Sequence, residues 1–93
     1  MSVNEPNPYV ILDIGRKLEG SLSDGYEKFK SQLQKGDVLV CLLQKATSKR
    51  EDSAVAMHIS SAQMFICASQ ASGFASKKFY AVPQKKYEEY MNC

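Results

Sequence analysis

A chain of 93 residues with 44% hydrophobic and 24% charged side chains has the composition of one small folded domain, which excludes a disordered polyelectrolyte. The formal net charge of +2 demands no polyanionic partner. Three cysteines, Cys41, Cys67 and Cys93, follow no zinc or redox spacing and cannot all pair among themselves.

No secretory leader is read in MSVNEPN, so these thiols are expected to stay reduced in the cytoplasm. No cofactor and no metal are expected. The distribution of charge says more than its sum. Residues 1–36 carry five basic and five acidic side chains, and residues 37–52 carry three of each. Residues 53–76, SAVAMHISSAQMFICASQASGFAS, carry none. The surplus therefore lies beyond Ser76, where Lys77, Lys78, Lys85 and Lys86 outnumber Glu88 and Glu89.

Residues 1–7 hold turn formers without periodicity and are expected to be a flexible arm ahead of a single α/β domain over 8–93. PYVILDIG, residues 8–15, is a β-rich run closed by Gly15 and predicts a strand. In LSDGYEKFKSQLQK, residues 22–35, Leu22, Tyr26, Phe29 and Leu33 share a helical stripe, and Gly36 is the stop. DVLVCLLQ, residues 37–44, is nearly unbroken in its apolar character, the pattern of a central strand covered on both faces.

The uncharged block has the length of a membrane span, but six serines, two glutamines and His58 count against one. Val55, Ile59, Ala62, Phe65 or Ile66, and Ser69 keep helical spacing. Ser48 with Glu51 reads as a capping box and Gly73 as a stop, so one long helix is preferred. The competing division is a strand, AVAMHI, followed by a helix, SAQMFICASQ. KKFYAV is again β-prone, and Pro83 is placed to open a final helix, PQKKYEEYM, with Tyr87, Tyr90 and Met91 on one face. The order β-α-β-α-β-α predicts a small three-stranded, largely parallel sheet with helices packed on it. The alternative is an α+β fold with residues 54–59 as an extra strand.

Three strands leave two open edges, and a helix without a polar face needs cover. The expected function is therefore a non-enzymatic binding or regulatory protein that acts through protein contacts and self-association. Val55, Ile59, Ala62, Phe65 and Ile66 are the interface candidates. No catalytic site is expected; the lone His58 has only Cys41 as a conceivable nucleophilic partner through space. The second reading is an anion-recognition module for RNA, single-stranded DNA or a nucleotide. Ligands collect beyond the carboxyl ends of parallel strands. That edge would gather Arg16, Lys17, Lys45, Thr47, Ser48, Lys49, Arg50 and Lys85. In SKKFYAVPQKKYEEY, lysines alternate with aromatics, which makes Lys77, Lys78, Tyr80 and Lys86 the nucleic-acid candidates.

Overall fold

The computed structural model describes residues 7–45 and 54–92. Its first apolar run is a helical turn, not a strand. The Asn7 side chain accepts a hydrogen bond from the Tyr9 N–H (3.0 Å) and opens a 3-10 turn at Pro8–Val10, which leads into α1, Ile11–Ile14. Proline has the φ that a first helical residue needs. Gly15 ends the turn because a Cβ there would meet the Ile11 carbonyl oxygen at 2.9 Å and Tyr80 Cβ at 3.1 Å. Only then does β1 form, and it is just Arg16–Lys17.

Leu22, Tyr26, Phe29 and Leu33 do reach one core, but not from one helix. A 3-10 turn at Leu22–Asp24 and α2, Tyr26–Lys30, divide at Gly25, whose φ of 88° residues with a Cβ rarely adopt. β2, Asp37–Gln44, is the central strand that its sequence predicts, with both faces covered.

The uncharged block is also divided. β3, Ala54–Ile59, pairs with β2 from Gln44↔Ala54 to Leu39↔Ile59. α3, Ala62–Gln70, starts at Ser61, whose hydroxyl accepts from the Met64 N–H (3.3 Å). One helix over residues 53–72 is thereby overturned, because the strand ladder uses the main-chain groups such a helix would have consumed. Gly73, with φ 86°, lies in the loop after α3, and Phe74 packs on the core beyond it. The capping pair Ser48 and Glu51 lies outside the described residues, as does the arm 1–6. β4, Ser76–Pro83, and α4, Gln84–Met91, complete the chain, with Pro83 as the residue that caps the helix.

The sheet order is β1-β4-β2-β3, and every neighbouring pair is antiparallel. This overturns the three-stranded, largely parallel sheet; the α+β alternative with residues 54–59 as a strand fits. The physical reason is that β3 occupies the sequence assigned to half a helix. β2 is thus followed by a strand that runs back along it, and β4 does the same on its other side.

Period-two alternation sorts the core into two layers. Leu39, Cys41 and Leu43 of β2 and Phe79 of β4 face α2 and α3. Val40, Leu42, Tyr80 and Val82 face α1 and α4, where Ile11 and Tyr90 cover them.

Candidate functional site

The two edges of the sheet differ in chemistry. Among the described residues β3 forms one edge, with β2 as its strand neighbour. Its six residues, AVAMHI, include no charge and no proline, the devices by which edge strands resist pairing with another chain. Val55 is 46% exposed on this strand. α3, which shares a core cluster with Ile59, shows Ala62, Gln63, Ile66, Cys67 and Gln70 to solvent, again without a charge. Ile66 is 45% exposed. By contrast, α2 dresses its exterior with Glu27, Lys28 and Lys30, and α4 does so with Lys85, Lys86, Glu88 and Glu89. A surface helix normally carries such charges. α3 lacks them.

Of the five residues expected at an interface, Val55, Ala62 and Ile66 are therefore exposed, whereas Ile59 and Phe65 belong to the core. The helical spacing that grouped them spans a strand and a helix, so it did not define one face.

Cys41 and His58 do not meet. Val40 is the residue opposite His58 in the ladder, so His58 projects to the α4 layer while Cys41 projects to the α2–α3 layer. The His58 ring lies 5.2 Å from that of Tyr87. Burial pushes the Cys41 thiol up from its ordinary value near 9.0 to about 12, far from the depressed values of reactive cysteines. Cys67 is exposed. A thiol reagent is expected to label Cys67 in the native protein and to spare Cys41 until denaturant is added. Peptide mapping by mass spectrometry checks this, and labelling of native Cys41 at the rate of Cys67 would refute it.

Comparison with protein-family models, with curated proteins and with solved structures found no match. The chemistry of the surface has to carry the functional reading.

The described members of the basic loops do not all share one end of the sheet, which is antiparallel and has no common carboxyl edge. Arg16 donates through Nη2 to the Gln32 carbonyl (3.0 Å) and lies 3.7 Å from Asp37 Oδ2, so it ties β1 to the start of β2. Lys85 and Lys86 follow Pro83, at the end of the sheet where Pro83 pairs with Asp37. Lys45 follows Gln44 at the opposite end. Thr47, Ser48, Lys49 and Arg50 lie outside the described residues. Tyr80 is buried among Ile11, Val82 and Tyr90, which raises its phenol pKa and removes it from base stacking. What the fold brings together instead is Lys17, Lys77 and Lys78, around one recess at the β1 edge. That grouping depends on strand register, and no local sequence signal announced it.

Among the described residues no group of three or more His, Cys, Asp or Glu side chains is placed to hold a metal ion. Among the same residues, no helix is long and apolar enough to cross a membrane.

Proposed function

We propose that this chain is a non-enzymatic binding protein that assembles with a second copy of itself through β3 and the charge-free exterior of α3. The observation that carries this reading is the uncharged edge strand beside an uncharged helix, in a molecule whose other helices are charged outside. An antiparallel strand is self-complementary: a two-fold axis through the sheet lets β3 bond to its copy and join two sheets into one. Such pairing sets residues of the same layer opposite each other. Centred on Ala56, it places Val55 beside the copy's Met57; centred on Met57, it places Val55 beside the copy's Ile59. Either register covers the exposed Val55 with an apolar neighbour. It also puts both α3 helices on the same face, and neither brings a charge to repel its copy. The free thiols Cys41 and Cys67 fit a reducing, cytoplasmic setting.

Size-exclusion chromatography with light scattering tests the reading. The expected mass is twice 10.4 kDa. Val55→Lys and Ile66→Glu alter exposed positions and should keep the circular dichroism of the parent. Each is expected to weaken assembly by about tenfold or more, because it puts an unpaired charge into the apolar contact, Val55→Lys at the strand edge and Ile66→Glu on α3. A monomer mass for the parent at high concentration would overturn the proposal, and so would variants that assemble as well as the parent.

A further inference from the structure

We propose that the recess at the β1 edge is a binding site for a small phosphomonoester. β1 ends after Lys17, and its neighbour Leu18 makes one further ladder bond, from its N–H to the Phe79 carbonyl (2.9 Å). β4 continues past this point to Ser76, and among the described residues no strand pairs with its outer side there. The chain turns away through Gly20 and Ser21, and a recess of about 160 Å³ opens between it and β4. Its lining joins the apolar Leu18, Leu22, Phe29 and Phe79 with the polar Lys17, Lys77, Lys78 and Ser21.

The register pairs Lys17 with Tyr80. Alternation then sends Lys17 and Lys78 to one face of the sheet and Lys77 to the other. Lys77 shares the α2–α3 face with Leu18 and Phe79, and Lys17 and Lys78 line the recess from the other face, around the β1 edge of the sheet. Lys77 is held in place, because its Nζ donates to the Ser69 carbonyl (2.8 Å) in the last turn of α3. An ammonium has three donors, so this bond leaves two for a ligand.

The wall formed by Gly20, Ser21 and Leu22 is held through neighbouring residues outside the recess. The Gln32 side chain accepts from the Glu19 N–H (2.9 Å) and donates to the Glu19 carbonyl (2.6 Å). The Asp24 carboxylate beside this wall is occupied by the Ser21 N–H (2.7 Å) and hydroxyl (3.2 Å). Lys28 lies beside Gly20 as well, where its charge offsets that of the Asp24 carboxylate.

The ligand class follows from size and charge. The recess suits a compact oxyanion, and a phosphomonoester carries about −1.5 to −2 at neutral pH, a match for several lysines acting as point charges. A single-stranded nucleic acid would need exposed aromatics along a basic track. Phe79 and Tyr80 are buried.

The test is an NMR titration of the isotope-labelled full chain with inorganic phosphate at constant ionic strength. Sodium chloride and a single-stranded oligonucleotide serve as parallel arms. Saturable shifts are expected at residues 17–22 and 77–79. The double variant Lys17→Gln/Lys78→Gln should bind about tenfold more weakly, on the scale of two lost charge-assisted contacts. The control Lys85→Gln/Lys86→Gln should bind as the parent does. Equal shifts with chloride, shifts spread over all lysines, tighter binding of the oligonucleotide, or unchanged binding by the first double variant would each overturn the proposal. The site is at the opposite edge from β3, so its failure leaves the assembly reading standing, and the converse holds.

Discussion

Replacing Phe79 by alanine is expected to remove a large share of the domain's stability, ~3–5 kcal/mol. Phe79 sits on β4 between β1 and β2, and its ring centroid is 4.5 Å from Phe29 of α2 and 5.1 Å from Phe65 of α3. Tyr26 extends the cluster, 6.0 Å from Phe65. One side chain thus joins the sheet to both helices of its layer. Removing a fully buried phenylalanine costs ~3–5 kcal/mol, the lost transfer energy plus the cavity left behind. A domain of this length has about 5–14 kcal/mol of stability in total, so the loss is a large share of it. Phe79→Leu keeps most of the volume and should cost less than ~1.5 kcal/mol. Urea denaturation followed by circular dichroism separates the two variants. A loss below ~1 kcal/mol for Phe79→Ala would show that the layer can collapse around the gap, and that α2 and α3 do not depend on this ring.

A second large effect is expected at alkaline pH. Cys41 is fully buried on the central strand, and desolvation raises its thiol from near 9.0 to about 12. The folded state therefore holds this proton more tightly than the unfolded chain does. The resulting stability is fully present below pH 9 and is lost progressively as pH rises towards 12. The whole difference corresponds to ~4 kcal/mol, and about two thirds of it has gone at pH 11. Tyr80 and Tyr87, whose phenols are also raised by burial, act in the same direction at higher pH. Cys41→Ala removes the thiol contribution and leaves the tyrosines. Its urea midpoint should start lower, for lost packing, yet fall less steeply between pH 8 and pH 11 than that of the parent. Parallel curves for the two proteins would mean that the Cys41 thiolate finds water or a cation in the folded state.

Two strands and one stripe were legible in the sequence. DVLVCLLQ and KKFYAV read as strands because each runs through the middle of the sheet, where both faces are dry and successive side chains can all be apolar. Leu22, Tyr26, Phe29 and Leu33 read as core because spacing reports burial; it does not report that the backbone breaks at Gly25. PYVILDIG misled because its β-branched content says nothing of the Asn7 cap and Pro8 that turn it into a helical end.

Residues 54–59 show most clearly where local reading stops. Val55, Ile59 and Ala62 suit a helix, while AVAMHI suits a strand equally well, and short apolar runs do not separate the two. Six ladder pairs with β2 decide for the strand, and those partners are supplied by a different part of the chain. That choice then reversed the sheet from parallel to antiparallel and left Lys45 at the end of the sheet opposite to Lys85. The grouping of Lys17 with Lys77 and Lys78 has a separate origin, the β1–β4 register. The sequence by itself determined that residues 53–76 would bring no charge to the side of the protein they help to form, since they contain none. Only the tertiary structure decided that this side is an open strand edge flanked by a helix, because edges and neighbours are made by pairing between distant segments.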